Sequence, residues 1–386
     1  MKILTIYQTN EGGGYFKRLC RMMEAALNEG MEVHYISTGR FPISHSRLYF
    51  HKLPMIFKKK SLFYIYFFSF SQLYLAYLNY IYKFDAFVAF GSAYAFVFFL
   101  AKYIFNIPLI TFIRGDWIRE LHSKGRSRTQ IWFSEFMERT GLSKSNQIYV
   151  VTSDLKKVLF DRYGIEKARI LRNDIDTLRF YPRDSRARFL SEFDVQPDAF
   201  FIGFIGPFDP IKRVDVLIRA FEEVCSERCW LMLVGAGRDE KALRELVTNS
   251  GIERQVVFTG WREDVPEIFS AIDLLVLPSE YEGCPGVLLE ALGCETPCIG
   301  SDVGGIAEVL KYKDLLFDPL SVESLKEKLS LILNSPTCYD RLKGLCLKRK
   351  EMFVFDWNEE IVALIRRASN QKREDTQSAQ TIYINI

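Results

Sequence analysis

The chain has 386 residues, which is room for two or three domains with cores of their own. Apolar residues make up 48% and charged ones 26%, a balance that excludes a disordered, collagen-like or fibrous protein. The net charge of +3 hides an asymmetry: Lys and Arg against Asp and Glu number 27 to 15 in residues 1–185 and 24 to 33 in residues 186–386, or +12 and −9. A half that basic favours anionic partners. Eight scattered cysteines without a C-x-x-C pair read as structural thiols of a reducing compartment. His34, His45, His51 and His122 all lie in the basic half, so the acidic half lacks the Cys/His mixture of a zinc centre.

Along the chain, short β-rich runs alternate with helical ones, which predicts parallel sheets wrapped by helices. Met1 and Lys2 run directly into a strand at Ile3–Tyr7 without the apolar leader of a secreted protein, which points to the cytoplasm. Gly12-Gly13-Gly14 and a helix over 15–28 follow, then strands near 33–37, 86–90, 109–113 and 148–152. Ser61 to Tyr82 is 22 residues without a charge, directly after Lys58-Lys59-Lys60, and its length alone would cross a bilayer. Its Ser69, Ser71, Gln72, Asn79 and six tyrosines argue instead for a helix buried in the first domain or lying on a membrane surface. The second half restarts with a strand at 201–205, and alternates helices at 214–224, 241–248 and 287–292 with strands at 230–234, 256–258, 274–277 and 298–299. Two doubly wound domains fit, 1–182 and 183–352, parted at Tyr181-Pro182-Arg183-Asp184 where the charge changes sign. Residues 369–386 read as a flexible tail.

Ligands of open α/β sheets bind at the carboxyl ends of strands, so the loops there carry the chemistry. Gly12-Gly13-Gly14 lets a backbone approach a phosphate, although it is not G-x-G-x-x-G and no acidic residue stands at a ribose position. Gly206-Pro207-Phe208-Asp209-Pro210-Ile211-Lys212 sets a lysine just before a helix, and Gly235-Ala236-Gly237 follows another strand. In isolation these are equally a surface lysine and a tight turn. Pro278-Ser279-Glu280-Tyr281-Glu282-Gly283-Cys284-Pro285-Gly286 says more, because a helix starting near Pro285 leaves N–H groups free for an anion. Glu282 and Glu290 stand eight residues apart, about 12 Å along a helix, whereas a retaining glycoside hydrolase needs carboxyls about 5 Å apart. Carboxylates beside phosphates are repelled, so each is better placed accepting from hydroxyls, of a ribose and of a sugar. Taken alone, the spacing also suits two solvated glutamates.

The motifs occur together, however. The loop ending at Lys212, V-D-V-L-I-R-A-F (Val214–Phe221), LMLVGAGRD, VVFTGW and DLLVLPSEYEGCPGVLLEALGCETPCIGSDVGGIAEVL follow in order between Phe201 and Leu310. This run resembles the retaining GT-B glycosyltransferases of family 4, the group-one glycosyl transferases. The likeness extends more loosely over Gly12–Gly14, Thr111–Asp116 and Asn173-Asp174-Ile175-Asp176, and to Phe355-Asp356-Trp357, where such chains cross back to the first domain in a helix, 353–368. It implies an α/β architecture of two Rossmann-like doubly wound domains facing a central cleft. The implied activity is transfer of a sugar from a nucleotide diphosphate sugar with anomeric configuration kept.

Carried over by motif, Lys212 looks like the diphosphate-binding lysine, Glu282 the donor-sugar contact and Glu290 the ribose ligand. Further donor contacts are implied at Gly13, Gly14, Gly206, Arg213, Gly235, Gly237 and Trp261, and at Gly283, Cys284, Pro285, Gly286 and Val287. Family members usually carry Arg after the glycine at 206, where Pro207 stands, so that charge is missing or comes from Arg213 or Arg114. Arg114, in Ile113-Arg114-Gly115-Asp116, replaces a histidine often found there and is the candidate second cation. With no placed nucleophilic carboxylate, front-face substitution is expected, the departing phosphate oxygen helping to deprotonate the acceptor. Asp174-Ile175-Asp176 looks like a D-x-D metal motif but sits where the family has an Asn-x-x-Asp turn, so neither metal nor other cofactor is expected. A sugar-nucleotide epimerase and a catalytically inactive nucleotide-sugar-binding protein are the alternatives. Nucleic acid is not an expected partner, because the aromatics sit in apolar runs. The basic half beside an aromatic stretch points to a saccharide or lipid-linked acceptor and to peripheral contact with an anionic membrane on its cytoplasmic face.

Overall fold

The computed structural model describes residues 1–8, 14–53 and 60–384. Two compact units divide the chain, Met1–Leu171 with Asp356–Ile386, and Arg172–Phe355. The first contains β1 (Lys2–Ile6), α1 (Gly14–Asn28), β2 (Glu32–Ser37), β3 (Leu48–Lys52), α2 (Lys60–Tyr82), β4 (Ala86–Phe90), α3 (Ser92–Val97) and α4 (Phe99–Phe105). It continues with β5 (Leu109–Ile113), α5 (Trp117–Ser123), α6 (Arg128–Lys144), β6 (Gln147–Val150), α7 (Ser153–Tyr163) and β7 (Ala168–Ile170). The second holds α8 (Arg186–Glu192), β8 (Phe200–Ile205), α9 (Val214–Val224), β9 (Cys229–Val234), α10 (Glu240–Asn249), β10 (Val256–Gly260), α11 (Val265–Ala271) and β11 (Leu274–Leu277). Then come α12 (Gly286–Gly293), β12 (Cys298–Ser301), α13 (Gly304–Leu310), β13 (Leu316–Phe317), α14 (Val322–Asn334) and α15 (Pro336–Glu351), before α16 (Trp357–Ile384) rejoins the first unit.

The first sheet has the order β3-β2-β1-β4-β5-β6-β7 and the second β10-β9-β8-β11-β12-β13. Every strand pair is parallel; β1 lies between β2 and β4, with Ile3 opposite Val33 on one side and Ala86 on the other. Parallel strands are covered on both faces, which is why β4 reads as an unbroken apolar run, β5 departs from one only at Thr111, and both are buried throughout. The step from β1 to β2 runs one way along the first sheet and the steps from β3 to β4, β5 and β6 run the other. Right-handed crossovers therefore put α2, α3, α4 and α6 on one face and α1 on the opposite one, where it packs with α16.

Helix limits follow local chemistry. Ser127 and Gln130 form a reciprocal capping box at the start of α6, and α7 runs from a Thr152 cap to Gly164 in the left-handed region, φ 66°. The segment 172–182, expected in the first domain, belongs to the second unit. Ile175 and Phe180 lie in that unit's core, and a Cβ at Gly293 would come within 2.8 Å of Ile175 and 2.9 Å of Phe180. The charge change at 181–184 marks a surface feature, whereas packing sets the division at Arg172. The backbone also has no break at 369, the expected start of a loose tail, since α16 is one helix from Trp357 to Ile384. Ser61 to Tyr82 is helical as expected, and among the described residues no helix is long and apolar enough to cross a membrane.

Candidate active site

In the second sheet β8 and β11 are neighbours, yet the chain reaches β11 only after going out through β9 and β10. The strand order reverses between them, and the loops leaving their carboxyl ends diverge to open a crevice. Lys212 stands in the loop after β8 and Glu282 in the loop after β11. They meet as an ion pair, Lys212 Nζ to Glu282 Oε1, with side chains only 19% and 14% exposed. Ser279 Oγ donates to the same carboxylate oxygen at 3.1 Å. The two loops are also joined through the backbone, Glu280 N–H donating to the Ile211 carbonyl at 2.8 Å.

Contacts from other strands hold the Glu282 loop. Ser301 Oγ donates to the Ser279 carbonyl, and Gly305 N–H donates to the Glu282 carbonyl at 2.8 Å. A Cβ at Gly305 would sit 2.2 Å from the Gly283 oxygen, so only glycine allows α13 to approach this closely. Pro285 caps α12, whose first residue is Gly286; Glu290 Oε1 reaches back to 4.0 Å from the Cβ position of Gly286. Cys284 Sγ accepts from the Nδ2 of buried Asn173 at 3.2 Å, and Val287 packs at the margin of the core. Lysine, helix start and both glutamates thus belong to one loop cluster.

The other predicted residues fall into three groups. Gly206, Gly235 and Gly237 join the β8 and β9 loops backbone to backbone: a Cβ at Gly235 would lie 2.0 Å from the Gly206 oxygen, and one at Gly237 2.5 Å from Phe208 N. This packing accounts for glycine at 235 and 237. Arg213 adopts a left-handed conformation, φ 49°, and its Nε and Nη2 bind the Asp215 carboxylate at 3.0 and 2.9 Å. Burial alone would raise the pKa of Asp215, but Arg213 outweighs it and the net shift is downward. The charge of Arg213 is therefore engaged, while Pro207 stands exposed in the same loop. Trp261 follows the edge strand β10, two strands from β8, with its ring 75% exposed.

In the first unit Gly12 and Gly13 lie outside the described residues, and Gly14 opens α1. Arg114 follows β5. Its N–H donates to Tyr15 Oη at 3.1 Å and its guanidinium lies 5.7 Å from the Phe90 ring centre. Sequence reasoning missed what braces this loop: Asp116 caps α5 through Arg119 N–H and accepts both Nη1 and Nη2 of Arg162, at 2.8 and 2.7 Å. Burial would raise the Asp116 pKa, and Arg162 and the Arg119 N–H reverse that into a net lowering. Asp176 heads a turn, its Oδ1 and carbonyl both accepting from Arg179 N–H, and among the described residues no three His, Cys, Asp or Glu side chains are grouped to hold a metal ion.

Two family models divide the chain between them. Glycosyltransferase Family 4 matches residues 12–179 and Glycosyl transferases group 1 matches residues 186–344. The chain belongs to the group 1 glycosyl transferases. Among similar proteins, N-acetyl-alpha-D-glucosaminyl L-malate synthase of Bacillus anthracis is 31% identical over 220 residues, 56% of this chain and 56% of that protein. The match thus spans a little over half of that relative. Sucrose-phosphate synthase of Thermosynechococcus elongatus superposes with a TM-score of 0.80 at 20% identity, covering 97% of this chain and 99% of that one. HepE of Anabaena, solved in complex with UDP, superposes with a TM-score of 0.77 at 17% identity over 98% and 100% of the two chains. At these identities the likeness establishes the fold of this group 1 chain, which is GT-B.

Proposed function

We propose that this protein moves a sugar from a nucleotide diphosphate sugar to a hydroxyl of a saccharide or lipid-linked saccharide, with retention of anomeric configuration, in the synthesis of a cell-surface polysaccharide or glycoconjugate. The observation that carries the reading is the Lys212–Glu282 pair beside the start of α12. A cation, a helix N-terminus and a hydroxyl-binding carboxylate match a diphosphate joined to a sugar. The UDP bound by HepE supports a nucleotide donor.

Without donor, Glu282 neutralises Lys212. A diphosphate replaces Glu282 at the lysine, and Glu282 turns to a sugar hydroxyl, while Glu290 takes the ribose. As the bond from C1 to the diphosphate oxygen breaks, negative charge gathers on that oxygen, where Lys212 and the α12 N–H groups stabilise it. The acceptor oxygen bonds to C1 on the same face, and its proton passes to the departing phosphate oxygen. Arg114 is the proposed second cation. We expect turnover to survive excess chelator and to occur in the cytoplasm or on the cytoplasmic face of a membrane.

A binding screen of UDP- and GDP-sugars followed by product analysis tests the proposal. Nucleotide release that requires acceptor supports transfer, and a changed free nucleotide sugar would mean an epimerase. Exposed Pro207 and the Arg213–Asp215 pair favour a second reading, a donor-binding protein without transfer; donor binding with no acceptor-dependent release would establish it.

A further inference from the structure

The first unit carries an apolar surface that its fold leaves uncovered. Among the described residues, ten of the 21 exposed large hydrophobic side chains lie on α2, α4 and α6, which makes them a patch and not the usual scatter. Tyr77 is 59% exposed, Tyr80 79%, Tyr103 80% and Trp132 67%. These helices belong to one layer on one face of the sheet, so their outward sides adjoin. Ring contacts join them: Trp132 and Phe133 meet Phe136, Phe136 meets Phe96, and Phe96 meets both Phe68 of α2 and Phe99 of α4. On α2 the stripe Phe70, Tyr74, Tyr77 repeats at helical spacing, ring against ring.

The charge exposed on this layer is mostly positive. From 61 to 82 there is none, α4 contributes Lys102, and α6 presents Arg128, Arg139 and Lys144 against Glu135. Burial first, and then the nearby charges of Lys167 and Lys144, press the Lys102 pKa downward. A second copy meeting this face about a twofold axis would set like charges and identical rings against each other. Tyrosine and tryptophan among lysines match instead the boundary between head groups and acyl chains.

We propose that the outer face of α2, α4 and α6 docks on a bilayer bearing anionic head groups, its rings at the boundary and its lysines on the phosphates. The proposal deepens the lipid-linked reading of the acceptor and rests on that reading for its purpose, but its test needs neither donor nor acceptor. Sedimentation of the full chain is measured with phosphatidylcholine vesicles and with vesicles also containing phosphatidylglycerol, at low and high salt. Binding is expected to the anionic vesicles only and to fade with salt. Tyr77→Ser with Tyr80→Ser, Trp132→Ser, and Lys102→Glu with Lys144→Glu should each weaken it at least about tenfold with melting temperature unchanged. Leu331→Ser on α14 and Lys212→Ala should bind like the parent. Brominated lipid should quench fluorescence in the parent and much less in Trp132→Phe. Absence of vesicle binding, binding retained by all three face variants, or a dimer in sedimentation equilibrium that the same changes dissociate would overturn it. Vesicle binding without transfer from any donor would leave docking standing and remove the glycosyltransferase reading.

Discussion

The two units share a parallel-sheet plan and differ in where their distinctive residues lie. In the second they gather at the carboxyl ends of the strands, where backbone contacts through Gly235, Gly237 and Gly305 leave no room for a side chain. In the first they spread over the flank of the helical layer, as rings that touch one another while facing water. Under the two proposals above, the strand ends serve chemistry and the flank serves position, and each role leaves a different mark.

The sharpest way to break this division is Lys212→Ala. Acceptor-dependent nucleotide release should fall about 100- to 1,000-fold with the melting temperature unchanged; comparable activity would detach the chemistry from the second unit. Gly305→Ala comes next, since its methyl meets the Gly283 oxygen. Urea denaturation should show a loss of about 2–4 kcal/mol, whereas Gly14→Ala, with no described atom within 4 Å of its Cβ position, should change stability by less than about 0.5 kcal/mol. Asp116→Asn tests the bracing of the Arg114 loop: weakening the bidentate pair to Arg162 should cost about 2 kcal/mol, read from the same denaturation.

The smallest effect concerns pH. His51 accepts or donates to His34 at 2.8 Å, and His34 in turn meets Glu32 at 2.8 Å. Burial first and then the His34 neighbour push the His51 pKa down from 6.5 to about 4. The unfolded chain therefore takes up this proton first, so the stability from neutral His51 is complete above pH 6.5 and is lost as pH falls towards 4. Between pH 7 and 5 the loss should be about 1 kcal/mol after screening is allowed for, and His51→Gln should flatten it.

What could be read in advance follows the same contrast. Lys212, Glu282 and Glu290 stand in contiguous motifs, so local order and spacing expose them. Ser301 and Gly305 support their loop through contacts from segments more than twenty residues further along the chain, and neither spacing nor composition reports such contacts. β3, β7 and β13 were not anticipated; all three are sheet edges of two to five residues, too short or too exposed to stand out as apolar runs. Trp132, Phe133 and Phe136 resemble core residues by type, and only the burial of the opposite side of α6, Ile131, Ser134 and Met137, reveals that they face outward.

Trp357, fully enclosed between α1 and its own helix, with Arg18 and Arg21 5.1 and 5.4 Å from its ring, belongs to the unit that begins at Met1. During synthesis, all 184 residues of Arg172–Phe355 leave the ribosome before this tryptophan does. The later unit can therefore finish folding while the earlier one still waits with an open seam along α1, and a stall ahead of Trp357 would yield a nascent chain with a folded second unit and an unsealed first one.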